Sequence, residues 1–260
     1  MSEQRPTIVL VHGAFAESAS WDLVIERCQA EHHQIEPGFR PSLAGPHSLK
    51  VMAAANPLRS VAGDAAYVRD VIAAVGGPVV LVGHSYGGFV ITEAAAKNDS
   101  VIGLVYVNAF APDQGESAFG LAAKFPGSSG DAFAANPIST GGVEFVIRQD
   151  LFHQTFAADV SVKRTAIMGA TQRPATEQAL TGGLSTDRPA WKSLPSWFVF
   201  GDQDLIIPVA LHRLMADRAG ARGTMEIAGA SHAAMVSNPD AVAATILTAV
   251  SAVRPATASL

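Results

Sequence analysis

The sequence contains one cysteine, Cys28, among 260 residues. An internal disulfide is therefore excluded, and so is a zinc cluster built on cysteine. Charge is sparse: 16% of residues are charged, with 18 basic against 23 acidic and a formal net charge of −5. The basic residues are scattered, whereas neutralising phosphates needs a dense basic footprint, so a nucleic-acid partner is not expected. Long apolar runs are missing, since no window of about 18 residues is free of charges or helix breakers, and a membrane span is not expected. The first apolar run, residues 8–11, is far too short for an export signal, so the expected location is the cytoplasm. There is no phosphate loop ending in Gly-Lys-Ser/Thr, and no histidine pair has ligand spacing beside a carboxylate; neither nucleotide nor metal is expected.

What is present is apolar and punctuated by glycine. Hydrophobic residues make up 48% of the chain, enough for a sizeable core, and the length allows one large α/β domain with an insertion. Short β-branched runs alternate with longer alanine-rich amphipathic segments, the pattern of βαβ units around a buried parallel sheet. Strands are predicted at residues 7–11, 79–82, 102–107 and 197–200, with a fifth at 224–227. Helices are predicted at 20–28, 60–75, 87–97, 209–219 and 240–253; Asn238 and Pro239 supply a capping residue and a helix-compatible proline for the last. Two stretches break the alternation. Residues 112–195, rich in Gly, Pro, Ser, Thr and Phe, lie between two strand signals and are expected to form a cap over the strand ends, with 1–111 and 196–260 as the core. Residues 34–57, with Pro37, Pro41, Pro46 and Pro57, read as a long irregular connection, and 254–260 as a frayed tail.

The strongest chemical signal is Gly83-His84-Ser85-Tyr86-Gly87-Gly88, which follows the strand 79–82 and precedes an apolar helix. A serine on so sharp a strand-to-helix turn needs small neighbours two residues either side, and Ser85 is the expected nucleophile. A serine at its ordinary pKa is a poor nucleophile, so a histidine base and an orienting carboxylate are required. Both follow at strand ends. The loop 201–208, Gly-Asp-Gln-Asp-Leu-Ile-Ile-Pro, offers Asp204 as the acid, with Asp202 as the competitor whose alternative role is to bind loop backbone. Residues 229–232, Gly-Ala-Ser-His, place His232 as the general base. The other histidines are read as structural: His12 shaping the loop beside the nucleophile, His84 packing or bonding locally, and His32, His33, His47, His153 and His212 as surface or packed residues. Acyl transfer also needs amide donors for the oxyanion. Tyr86 supplies one, and the turn at 12–15 the other, from Ala14 or alternatively Phe15. Phe15, Tyr86, Phe110 and Ile206 are expected to wall an apolar substrate pocket, and ordinary core packing would need the same residues. The cap phenylalanines 119, 125, 133, 145, 152 and 156 fit apolar or aromatic groups, or the packing of a small subdomain.

The segments at 9–14 (Val-Leu-Val-His-Gly-Ala), 83–88, 107–113 (Val-Asn-Ala-Phe-Ala-Pro-Asp), 204–208 and 229–235 together resemble the α/β-hydrolase superfamily over nearly the whole chain. They are similar to its branch of small bacterial esterases, plant methyl esterases and hydroxynitrile lyases. That resemblance implies a cofactor-free Ser-His-Asp enzyme acting on a small ester, and it favours Asp204, because in that branch the acid stands four residues before a proline, here Pro208. Two positions depart from the lyases, which carry lysine after the triad histidine and threonine in the oxyanion turn; here they are Ala233 and Gly13, and the esterase reading gains. The longer 34–57 connection is a further departure. The alternatives are lyase, amide or lactone cleavage by the same machinery, and a ligand receptor on the same fold. A homodimer is compatible with the sequence, which does not encode oligomeric state legibly.

Overall fold

All five predicted strands form; four are short apolar runs covered on both faces, and the fifth, at 223–227, is a largely exposed strand on the edge of the sheet. The structure is a computed structural model and describes residues 5–30, 49–139 and 141–253. In chain order, β1 (Thr7–Val11) leads through a 3-10 turn (Ser18–Trp21) into α1 (Asp22–Ala30), then come β2 (Val51–Ala54), α2 (Val61–Val75), β3 (Val79–His84), α3 (Gly87–Ala94) and β4 (Val101–Val107). Residues 112–195 hold α4 (Ala118–Ala122), β5 (Phe133–Pro137), β6 (Val143–Ile147), α5 (Gln149–Phe156), α6 (Val162–Thr171), β7 (Ala175–Thr176) and α7 (Glu177–Thr181). The chain then returns through β8 (Ser196–Gly201), α8 (Val209–Arg218), β9 (Gly223–Ile227), α9 (Ala234–Ser237) and α10 (Pro239–Ala252).

The central sheet has six strands in the order β2-β1-β3-β4-β8-β9, and every pairing is parallel. β1, β3 and β8 are buried along their whole length, and each buried Val, Leu, Ile or Phe contributes about 1.5–3 kcal/mol relative to exposure. The chain leaves β1 toward β2 on one side and resumes at β3 on the other, so the order reverses between β1 and β3. In open α/β sheets a crevice opens there at the carboxyl ends of the strands.

One feature of the sheet corrects the sequence reading. Residues 34–57 do not form an irregular connection throughout: residues 51–54 are β2, an edge strand in register with β1 from Ile8↔Val51 to Val11↔Ala54. Val-Met-Ala-Ala carries one β-branched residue and sits among prolines, so only the pairing with β1 makes it a strand. Residues 31–48, with His32, His33 and His47, and the tail 254–260 lie outside the described residues. Helix limits moved by a few residues. The 20–28 helix begins as a 3-10 turn and reaches Ala30, and the 87–97 helix stops at Ala94. Ser60 caps α2 by accepting a hydrogen bond from the Gly63 amide, a contact worth about 1 kcal/mol.

The segment 112–195 contributes no strand to the six-stranded sheet. It builds its own antiparallel sheet, β5-β6-β7. Ion pairs tie it to the rest of the chain: Arg59–Glu144 at 3.1 Å, Arg164–Asp22 at 2.9 Å, Arg173–Glu17 at 3.4 Å and Arg218–Glu116 at 2.6 Å.

Candidate active site

Ser85 sits where β3 turns into α3, with φ of +54°. A non-glycine residue held in that region costs about 1–3 kcal/mol and persists only where its surroundings fix it. Here they do: the Ser85 amide donates to Asn108 O at 3.1 Å, and Ser85 O accepts from the Phe110 amide at 3.2 Å and the Gly88 amide at 3.0 Å. The flanking glycines are required by close approach. A β-carbon on Gly83 would stand 2.7 Å from Gly87 O, and one on Gly88 would collide with Phe110 O.

The acid and the base arrive from the ends of β8 and β9. His232 Nδ1–H donates to Asp204 Oδ2 at 2.7 Å, and both side chains are sealed from solvent. With Nδ1 committed, Nε2 of His232 is bare and has no hydrogen-bond partner among the described residues. Asp202, the other carboxylate of the loop, is bonded elsewhere: its Oδ1 accepts from the Gly229 amide at 2.7 Å.

Asp204 is held by more than its histidine. Oδ1 accepts the amides of Ile206 and Ile207, each at 2.8 Å. Oδ2 accepts Asn108 Nδ2–H at 2.9 Å and His212 Nε2–H at 3.0 Å in addition to His232. Burial would push this carboxyl up, but the facing His232 and the hydrogen bonds from His212 and His232 outweigh it and hold the group below the usual carboxylate range. Asn108 and His212 are the residues that sequence reasoning missed. His212 is not a residue with a purely packing role: it shares the buried face of α8 with Leu211 and Met215 and points a ring nitrogen at the acid. The available signals were its place on that face and, for Asn108, a small polar residue directly after a buried strand, at φ of +42°, a conformation asparagine tolerates better than most.

His84, expected to bond locally, reaches across the sheet end instead. Its Nε2–H donates to His232 O at 3.0 Å, and the two rings lie 4.7 Å apart. Burial first, and then the neighbouring His232, drive its pKa well below the ordinary histidine value, so it serves as a neutral strut. His12 is likewise buried; its Nδ1–H donates to Gly13 O at 2.9 Å, and burial lowers its pKa to about 4. Asn56 Nδ2–H donates to His12 O at 2.9 Å, which fixes the turn that follows β1.

That turn abuts the elbow: a β-carbon on Gly13 would stand 2.5 Å from Ser85 Cβ and 3.0 Å from the Tyr86 amide nitrogen. Of the two amides considered for the second oxyanion donor, Phe15 is already used, donating to Arg173 O at 3.0 Å. The amides of Ala14 and Tyr86 donate to no other described backbone group. The Tyr86 side chain is anchored from behind, its hydroxyl donating to the buried Asp64 at 2.9 Å.

In front of Ser85 lies a cavity of about 500 Å³. Phe15, Tyr86, Phe110 and Ile206 all line it, as expected, and residues 112–195 add Ala118, Phe119, Ala122, Ala123, Ser128, Gly130, Phe133, Phe145 and Leu180. Among the described residues none that lines it is charged. The six phenylalanines of that segment divide. Phe119, Phe133 and Phe145 face the cavity, linked ring to ring with Phe15 at centroid distances of 5.3–6.2 Å. Phe152 and Phe156 are buried, and Phe156 packs edge-on against His232 at 4.9 Å; Phe125 packs against the core.

A doubly wound parallel sheet with a strained serine between β3 and α3, and an acid and a histidine on later strand ends, defines a class of fold and site. The chain belongs to the alpha/beta hydrolase family, whose model matches residues 8–245. It is similar to the alpha/beta hydrolase nvfD of Aspergillus novofumigatus (strain IBT 16806), 25% identical over 254 residues, covering 92% of this chain and 94% of that one. A stretch of 63 residues is 41% identical to the carbendazim hydrolyzing esterase of Nocardioides sp. (strain SG-4G), covering 22% of this chain and 26% of that one. Among solved structures, polyneuridine aldehyde esterase superposes with a TM-score of 0.74 at 21% identity, covering 94% of this chain and 99% of that one.

Proposed function

We propose that this chain is a serine esterase that cleaves a small, uncharged carboxylic ester through an acyl-serine intermediate. The observation that carries the reading is the 2.7 Å bond from His232 Nδ1 to Asp204, which leaves Nε2 as the basic nitrogen. In the first half-reaction Ser85 Oγ attacks the ester carbonyl carbon and its proton passes to His232 Nε2. The carbonyl π-bond opens to an oxyanion, stabilised by the amides of Ala14 and Tyr86. Collapse re-forms the carbonyl and expels the alkoxide, which takes the proton from His232 and leaves as alcohol. Water then repeats the sequence: His232 takes its proton, hydroxide adds to the acyl carbon, and the serine leaves with the proton returned. Asp204 stays ionised throughout and stabilises the imidazolium formed in each half.

The cavity supports the choice of substrate. Aromatic and aliphatic walls with no charged residue favour an apolar acyl or alcohol group and disfavour a carboxylate on the substrate, whose desolvation nothing there repays. The segment 112–195 acts as the cap: it supplies much of the wall, so chain-length preference resides in it. The names of the esterases to which the chain is similar agree with ester cleavage.

The test is turnover of p-nitrophenyl acetate, butyrate and octanoate at neutral pH by the wild type beside Ser85→Ala. The expected result is hydrolysis that falls on the order of 10⁴-fold or more in the variant. Undiminished turnover by Ser85→Ala, or a folded wild type that hydrolyses none of the three, overturns the reading.

A further inference from the structure

The acid of the site is bonded by two histidines, and the reaction just described uses one. We propose that His212 is a positioning residue for that reaction, acting through Asp204 to set the orientation and basicity of His232. The inference rests on the esterase reading for its kinetic consequences, though not for the bond itself.

The geometry is specific about which atoms are engaged. Asp204 Oδ2 accepts His232 Nδ1–H at 2.7 Å, Asn108 Nδ2–H at 2.9 Å and His212 Nε2–H at 3.0 Å, while Oδ1 is occupied by the amides of Ile206 and Ile207. Three donors therefore share one oxygen with two lone pairs. Each added donor draws charge from that oxygen and reduces what His232 receives. The same donors lock the carboxylate plane, so that Oδ2 cannot rotate away from His232.

His212 is suited to this by being neutral. Its Nδ1 has no partner among the described residues and its ring is stacked on Phe200, centroids 4.8 Å apart and 9° from parallel. A neutral imidazole that must donate through Nε2 carries its proton there and leaves Nδ1 bare. Burial pushes its pKa below the ordinary value, against the pull of Asp204. A second donor is thus supplied without a second positive charge, which would compete with the His232 imidazolium for the same oxygen. Phe200 fixes the ring plane, and α8 fixes its height through the Leu211 and His212 amides, both bonded to Pro208 O.

The titratable groups facing this pair are few. Asp204 lies between the two histidines, His84 from β3 faces His232, with His12 beyond it, and Glu226 on β9, bound to Arg213 of α8, is the further charge near His212.

Two measurements test the proposal. In the wild type, ¹⁵N histidine spectra between pH 5 and 9 should show His212 as the Nε2–H tautomer throughout; a cationic or Nδ1–H His212 overturns the proposal. In kinetics, His212→Leu should lower kcat about 10- to 100-fold, from loss of a hydrogen bond to a buried charge. It should also move the acid limb of the kcat/KM profile upward by about half a pH unit to one unit, because Asp204 then gives more charge to His232. His212→Gln, which keeps an N–H, should restore the limb to the wild-type position. A His212→Leu enzyme with wild-type kcat and an unmoved limb, or a His212→Gln enzyme that fails to restore it, overturns the proposal. If His212→Leu does not fold, the spectra and His212→Gln still decide it. A wild type without esterase turnover would sink the esterase reading and leave the spectra to decide the bond.

Discussion

The two sides of Ser85 are built from opposite materials. Behind it, Asp204, Asn108, His212, His232 and His84 form a buried polar network in which the bonded atoms come from strand ends and one helix of the parallel sheet. In front, the cavity is walled by Phe15, Phe119, Phe133 and Phe145, aromatic groups drawn from the turn after β1 and the cap. Removing a donor from a buried polar network costs about 1–3 kcal/mol for the group left unpaired, whereas an apolar wall loses area in proportion to what is removed. On the proposed reading the chemistry lies on the polar side and the selectivity on the apolar one.

That contrast can be broken most severely at the acid. Asp204→Asn should lower kcat on the order of 10⁴-fold, since the amide can neither hold the tautomer nor stabilise the imidazolium. Asp202→Asn, whose side chain accepts from the Gly229 amide, should stay within about 2-fold; kinetics of both variants on one ester settle the pair, and a costly Asp202→Asn would reverse the assignment. A smaller effect is expected in front. Phe133→Ala should reduce kcat/KM for p-nitrophenyl octanoate roughly 10-fold while leaving the acetate within about 2-fold; equal losses on both esters would mean that the cap does not select.

The smallest effect concerns how the cap is fastened. Glu116 accepts the Arg218 guanidinium at 2.6 Å and Lys124 at 2.6 Å, and Arg218 also donates to Ala111 O, where the cap begins. Burial opposes ionisation of Glu116, but Arg218, the Asp113 amide and Lys124 bring its pKa down from 4.5 to about 2. A depressed carboxyl stabilises the fold above its unfolded pKa and loses that contribution as pH falls through the folded one. Glu116→Gln should thus lower Tm by about 2 °C at pH 7, and the difference from wild type should shrink between pH 4.5 and about 2. A difference that persists at the acid end would show that packing, rather than charge, fastens the cap.

How much of this was legible beforehand differs between the same two regions. The elbow was readable because strand, glycines, serine and helix are consecutive, Asp204 because it follows the apolar run 197–200, and His232 because a glycine-containing turn places it just after the short strand at 224–227. The cavity residues Phe15, Phe110 and Ile206 were readable by their distance of a few positions from those landmarks. β2 was not, since its four residues become a strand only when β1 offers its edge. Nor was the internal sheet of the cap, whose longest strand has five residues.

The sequence by itself determined the fold class and singled out Ser85, Asp204 and His232, because those depend on hydrophobic periodicity and turn chemistry within a few residues. Only the tertiary structure decided which atoms meet. Asn108 reaches Asp204 across 96 positions and His84 grips His232 across 148, contacts set by how the parallel strands register against one another. His212 stands eight residues from Asp204, yet its role too depends on how α8 packs against β8. A carboxylate buried with five N–H donors is a property of that packing, and no local pattern of residues encodes it.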